Sequence, residues 1–211
     1  MSPTEVTLIG DLIDSRLSSD RQDLHHSITA ALRAVSAQIT PLRPLAITVG
    51  DEFQGSYARL GDALSSVLAI RSLLEPSVRV RFGIGRGEVT VLDPVANTQD
   101  GPGWWAARAA IEEVEAREDE TGWTARRAVY RSAVSDDPMQ DAVNAALVCQ
   151  DLLVDSFDER SWSILRGMMA DTTQTQIADD LGISRQAVQQ RRSTAGMPMI
   201  VSAARNLASL L

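Results

Sequence analysis

Three observations in the sequence predict an α+β protein: a ferredoxin-like sheet domain followed by an all-α helix-turn-helix module. Hydrophobic patterns over residues 6–84 follow a β-α-β-β-α-β order, which builds an antiparallel sheet carrying both helices on one face. Two apolar, β-rich runs, Leu8-Ile9-Gly10-Asp11 and Ile47-Thr48-Val49-Gly50-Asp51, each deliver a carboxylate where the strand stops. Near the C-terminus, Gly182-Ile183-Ser184 separates two short helical patterns.

Val6 to Ile9 reads as a buried strand. Arg21 to Ile39 carries Leu24, Ile28, Ala31, Leu32, Val35 and Ile39 at helical spacing, with Asp20 as N-cap and Pro41 and Pro44 as breakers. Leu45 to Val49, the tight turn Gly50-Asp51-Glu52 and Phe53 to Tyr57 form a hairpin. Ala63 to Leu74 is a second helix, ended by Pro76, and Val78 to Ile84 alternates apolar residues with Arg at strand period. Gly83, Gly85 and Gly87 are read as punctuating a turn, with a further strand from Glu88 to Leu92. Gly101-Pro102-Gly103 precedes a helix from Trp104 to Arg117, whose acidic run, Glu112 to Glu120, is read as a solvated face. A short strand is placed at Ala128 to Tyr130, and Asp137-Pro138 opens a helix through Val154. The expected organisation is a palm domain at 1–135, a connecting helix at 136–155 and a helix-turn-helix domain at 156–211.

All 20 basic residues are Arg, so no Lys is present to act as base, Schiff-base former or phosphate clamp. The net charge is −8. Residues 1–155 hold 23 acids and 14 Arg, and residues 156–211 hold 5 acids and 6 Arg, so only the tail suits a phosphate backbone. The single cysteine, Cys149, excludes an internal disulfide. With no leader pattern and no apolar run of membrane-spanning length, the expected location is cytoplasmic, without membrane insertion.

In the expected sheet Asp11 and Asp51 converge on one edge, where two carboxylates plus substrate phosphates hold a hard cation such as Mg²⁺. The competing reading is that Asp11 caps a loop and Asp51 makes a hairpin turn. Arg16, Arg81, Arg86 and Arg108 are candidate phosphate contacts, through bidentate guanidinium forks; for Arg81 a solvent-facing strand position is favoured. Of Trp104 and Trp105, one is expected in the core and the other offers a face to a base. His25 and His26 adjoin on a helix, point apart and share no metal.

The tail gives the most specific local signal. Ser161 to Met169 is a supporting helix, and Thr173 to Leu181 is the first helix of the motif. Ala178 allows close crossing, Gly182 turns left-handed, Ile183 plugs the core, and Ser184 caps the helix Arg185 to Arg192. Thr175, Ser184, Arg185, Gln186, Gln189, Gln190 and Arg192 are the expected DNA-binding residues, Arg and Gln being the side chains that read guanine and adenine edges. Arg191 joins Arg192 as an expected phosphate contact. Met197 to Leu211 is an apolar terminal helix that docks on the body or pairs with a second copy. A homodimer is expected, because one such module makes too few contacts for specific affinity.

Three segments also carry a resemblance. Gly10-Asp11-Leu12-Ile13, Gly50-Asp51-Glu52-Phe53 and Arg81-Phe82-Gly83-Ile84-Gly85-Arg86-Gly87-Glu88-Val89 resemble the strand-borne signatures of class III nucleotide cyclase domains over roughly residues 5–110. The hairpin also resembles the G-G-D-E-F turn of diguanylate cyclases, and the whole chain is similar to the SatD family. The resemblance implies a purine-nucleotide site formed by Asp11, Leu12, Ile13, Asp14, Ser15, Arg16, Thr48, Asp51, Glu52 and Arg108. Asp11 and Asp51 match the metal aspartates for Mg²⁺, and Asp11, Asp51 and Arg108 are the catalytic set if the site is active. Departures weigh against turnover. Thr48 stands at the adenine-selecting Lys position, Trp104 at the Asn of the late helix, and Val49-Gly50 at the G-G. Loss of one preorganised amide costs roughly 3–4 kcal/mol of barrier lowering. The resulting expectation is a DNA-binding transcriptional regulator whose palm binds a purine nucleotide or nucleotide second messenger. The alternative is an active metal-dependent nucleotidyl cyclase or transferase with an accessory helix-turn-helix.

Overall fold

The computed structural model describes residues 3–13, 21–48, 50–95 and 98–211, so Asp14, Ser15, Arg16, the expected N-cap Asp20 and Val49 lie outside the described residues. The elements are β1 (Thr4–Leu12), α1 (Arg21–Gln38), β2 (Arg43–Ile47), β3 (Glu52–Tyr57), α2 (Leu60–Leu74), β4 (Val80–Glu88), β5 (Thr90–Asp93), β6 (Thr98–Asp100), α3 (Pro102–Ala116), β7 (Ala128–Ser132), α4 (Met139–Val154), α5 (Glu159–Met169), α6 (Gln174–Asp180), α7 (Arg185–Thr194) and α8 (Met197–Ala208). The main sheet runs β2-β3-β1-β4-β7, antiparallel except for the parallel β4–β7 pair. The expected β-α-β-β-α-β core is therefore present, extended by one strand.

Strand alternation sorts side chains onto two faces. One face carries Val6, Leu8 and Leu12 of β1, Phe53 and Tyr57 of β3, and Val80, Phe82 and Ile84 of β4, packed in one core with α1, α2 and Val143 and Leu147 of α4. Gly10 leaves the space that the Phe53 ring fills, with its edge turned to Phe82 at a centroid distance of 6.1 Å.

The opposite face corrects the sequence reading. Gly83, Gly85 and Gly87 do not make a turn: β4 runs unbroken to Glu88 and places all three glycines on this face. A Cβ on Gly83 would stand 2.1 Å from the Ala107 carbonyl oxygen, and one on Gly85 would stand 2.2 Å from that of Gly103. The glycines thus admit the backbone of α3, and the Thr7 hydroxyl donates across the seam to the carbonyls of Gly85 (3.1 Å) and Gly103 (2.9 Å). The strand expected at Glu88 to Leu92 is instead split between the end of β4 and the small β5–β6 hairpin. Helix α3 covers β4, β7 and part of β1. The β2–β3 half of this face is left open.

Four helices, α5 to α8, follow α4. Their core holds Trp162, Ile164, Leu165, Ile177, Ala178, Val188, Met197 and Ile200 and also takes in Leu68 of α2. Leu207 and Leu210 pack against the sheet domain's core, and the Gly61 amide donates to the Leu210 carbonyl at 3.1 Å. The terminal helix therefore docks on the body through α2. Among the described residues no helix is long and apolar enough to cross a membrane.

Candidate functional site

The open half of the second sheet face has a polar floor. Odd positions of β1 and even positions of β3 point to it, so Glu5, Asp11, Glu52, Gln54 and Ser56 share one surface. Arginines answer these carboxylates. Buried Glu5 accepts from the Ser56 hydroxyl at 2.7 Å and from Arg43 at 3.4 Å. Glu52 accepts both forks of Arg108, at 2.7 and 2.9 Å, and the Gln54 amide at 2.7 Å. Asp11 accepts from Arg81 at 2.6 Å, and Arg81 also reaches Glu118 at 2.8 Å and Glu115 at 3.6 Å.

Two expectations are corrected by these pairs. Arg81 is not a solvent-facing strand residue; it is 9% exposed and tied to three carboxylates. The acidic run is not simply a solvated face, because Glu118 holds Arg81 and Glu113 holds Arg126 and Arg131. Arg86 points to the other face, 3.9 Å from Asp137, away from Asp11.

Burial pushes the Asp11 carboxyl above its usual range; Arg81 opposes this and the nearby charge of Asp51 adds to it. Among the described residues no group of three or more His, Cys, Asp or Glu has metal-binding geometry. The buried Nε of Arg81 has no hydrogen-bond partner, leaving one donor on this surface unused. Leu12 is buried and paired with Val80, and the Ile13 amide already donates to the Arg79 carbonyl at 2.9 Å.

Beside this surface lies a cavity of about 360 Å³ between the β2–β3 hairpin and the start of α3, lined by Arg43, Thr48, Gln54, Trp104, Trp105 and Arg108 among others; Gln54 is the residue of the polar surface that lines it, and Arg108 links it to Glu52. Trp104 packs toward Ile9, Ala107 and Ile111, whereas Trp105 is 61% exposed. The strand β6 orients both indoles: Gln99 accepts from Trp104 Nε1 at 3.2 Å and Asp100 from Trp105 Nε1 at 2.7 Å. Thr48 closes the hairpin turn through its amide to the Glu52 carbonyl at 2.9 Å, while Gly50 supplies the left-handed φ of 67°. Sequence reasoning missed Glu5, Arg43, Gln54 and Ser56. Their signal is the polar half of the strand alternation, which marks a second face that is not core.

In the C-terminal helices, Thr173 caps α6 by accepting from the Gln176 amide, and Ser184 caps α7 by accepting from the Ala187 amide. Gly182 between them has φ 62°. Val188 is buried, whereas Thr175, Arg185, Gln186, Gln189 and Gln190 are exposed and Arg192 is half-buried. Gln189 accepts from the Gln174 amide at 2.8 Å. Arg191, expected at phosphate, is held by Asp158 at 2.9 Å and by the Ser161 hydroxyl at 3.1 Å, which fixes α7 to the start of α5.

The family model described as the SatD family matches residues 5–211. The chain belongs to the SatD family. No curated protein matches it. Among solved structures, the adenylyl cyclase CyaB from P. aeruginosa aligns at 13% identity and a TM-score of 0.42, over 57% of this chain and 84% of that one. A regulator of polyketide synthase expression from Bifidobacterium adolescentis aligns at 10% identity and a TM-score of 0.30, over 99% of this chain and 82% of that one. Both likenesses are distant.

Proposed function

We propose that this SatD-family protein is a dimeric DNA-binding regulator that binds a purine nucleotide, with Mg²⁺, in the cavity beside α3. The observation that carries the reading is a cavity walled by an exposed tryptophan and Arg108, beside the sheet edge that bears Asp11 and Glu52. Trp105 offers a stacking face to a base. Arg108 has its side chain 44% exposed, so its bond to Glu52 is in a screened, exchangeable position. A phosphate group accepts the Arg108 fork in place of Glu52. Asp11 and Asp51 would hold Mg²⁺, which would neutralise phosphate charge there. The exposed outer face of α7 supports DNA contact through Arg185, Gln186 and Gln189, with Arg192 toward the phosphates.

Calorimetric titration with purine nucleotides tests the pocket. Binding is expected to weaken at least tenfold when Mg²⁺ is removed or when Asp51→Ala is made, and Trp105→Ala is expected to weaken it with or without the metal. Equal binding by the wild type and Asp51→Ala, or none by either, rules the reading out.

A second test addresses DNA. Selection from a random duplex library is expected to enrich a two-fold symmetric site, on which Arg185→Ala loses about 1–3 kcal/mol and discrimination at one base position. Failure to enrich any sequence removes the DNA half of the proposal and leaves the nucleotide half standing.

A further inference from the structure

A second cavity, of about 610 Å³, lies between α1 and α2 on one side and α5, α6 and α8 on the other. Its volume is within the range of small-molecule sites. Its wall is largely apolar, with Ile39, Leu68, Ala69, Ile177, Leu181 and Val201 contributing from α2, α6, α8 and the end of α1. One charge is set into that wall. Arg166 of α5 is half-buried, and its guanidinium donates to the Ser72 carbonyl of α2 and to the Ser163 hydroxyl at 2.9 Å. These are neutral acceptors, and Arg166 forms no ion pair among the described residues. Burial pushes its pKa down, partly opposed by the Glu159 carboxylate, which makes no ion-pair contact with it. A guanidinium remains charged in a protein all the same, so this cation enters the wall with no carboxylate in ion-pair contact among the described residues. The other charges are disposed differently: Arg205 is paired with Asp171 at 2.5 Å with both side chains exposed, and Asp180 is exposed.

We propose that this cleft binds a small carboxylic acid with an apolar body, its carboxylate on Arg166 and its body against Leu68, Ile177 and Val201. Anion and cation form the charge-assisted bond that Arg166 lacks, in a setting where such a bond is strengthened by low polarity. The apolar body accounts for the rest of the wall. A molecule seated there touches α2 of the sheet domain and α6 of the C-terminal helices at once. Its occupancy therefore biases how α6 and α7 are held against the body, independently of the nucleotide cavity.

Calorimetric titration of the full chain with decanoate and 2-naphthoate, each below its aggregation concentration, tests this against decanol and 2-naphthol. At least one acid is expected to bind the wild type tenfold or more tighter than its alcohol, and the better of the two acids distinguishes a chain-like from an aromatic ligand. Arg166→Gln is expected to bring acid and alcohol to equal affinity. Ala204→Trp, which fills the cleft from α8, is expected to abolish binding of both while leaving the far-ultraviolet circular dichroism unchanged. Should Arg166→Gln fail to fold, the acid preference of the wild type and its loss in Ala204→Trp still decide. Equal affinity of acid and alcohol in the wild type, no binding of either acid, or wild-type binding by Ala204→Trp overturns the proposal. A wild-type dimer that Ala204→Trp dissociates also overturns it, by assigning the cleft to a second copy.

Discussion

Asp151→Ala is expected to lower the unfolding free energy by about 3–5 kcal/mol, the loss that follows when one partner of a buried ion pair is removed. Asp151 is 1% exposed, and all its hydrogen bonds are spoken for by different elements. One oxygen accepts from Arg71 of α2 at 2.5 Å, and the other accepts the amides of Arg127 at 2.8 Å and Ala128 at 3.1 Å, where β7 begins. Burial works against the charge on Arg71, but Asp151 and Glu75 outweigh it and hold the guanidinium firmly protonated. It lies under the Trp162 ring, 5.7 Å from its centroid, so α5 rests on the same network. The Ala variant strands a buried cation with Glu75 alone and leaves two buried amides unpaired. Asp151→Asn keeps the shape and one acceptor, and its expected loss is smaller, about 1–3 kcal/mol. Urea unfolding at neutral pH measures both, with Asp62→Asn as the comparison. That residue pairs with Arg59 at 3.8 Å near the surface, and its loss is expected to stay within about 1 kcal/mol. A loss below about 1 kcal/mol in Asp151→Ala contradicts the assignment of this network as a clamp between α2, α4, β7 and α5.

The legible and illegible parts of this chain divide along physical lines. Strand and helix periodicities are local, so β1, α1, the β2–β3 hairpin and α2 emerge from the sequence within a few residues of their observed bounds. The carboxylates Asp11 and Asp51 announce themselves by ending apolar runs, but the β1–β3 register sets Glu52, not Asp51, opposite Asp11, and that pairing between strands far apart in sequence carries no local signal. What fails is whatever depends on a distant partner. A glycine inside a strand carries the same local signal as one in a turn, and the helix that requires Gly85 is supplied by residues that come later in the chain. Arg81 looks like the solvated half of an alternating strand because its partners, Asp11 and Glu118, stand 70 and 37 residues away. The polar floor was visible as alternation in β3, Gln54 and Ser56 between Phe53, Gly55 and Tyr57, but its meaning required knowing that α3 leaves that half of the sheet uncovered.

Gly85→Ala is expected to destabilise the protein by about 3 kcal/mol or more and to abolish nucleotide binding even where the fold survives. An added Cβ meets the backbone of two successive turns of α3, 2.2 Å from the Gly103 carbonyl oxygen and 2.3 Å from the Ala107 amide nitrogen. No rotamer change relieves such a contact, because neither atom belongs to a side chain. The whole helix α3 must lift, which strains the Thr7 hydroxyl bridge between Gly85 and Gly103 and uncovers Ile9, Ala107 and Ile111. Trp104, Trp105 and Arg108 ride on that helix and line the cavity, so a displacement that relieves the clash also moves the tryptophan wall away from Glu52 and the hairpin. For a chain of this size the expected drop in melting temperature is about 6–12 °C. Gly50→Ala separates this steric effect from the general effect of adding a side chain to glycine. Gly50 has open space around it and a φ of 67°, so its penalty is the left-handed backbone alone, about 1–2 kcal/mol, with α3 untouched. A Gly85→Ala protein that melts within about 2 °C of the wild type would show that α3 is not seated on the glycine face of β4, and the cavity built on that seating would fall with it.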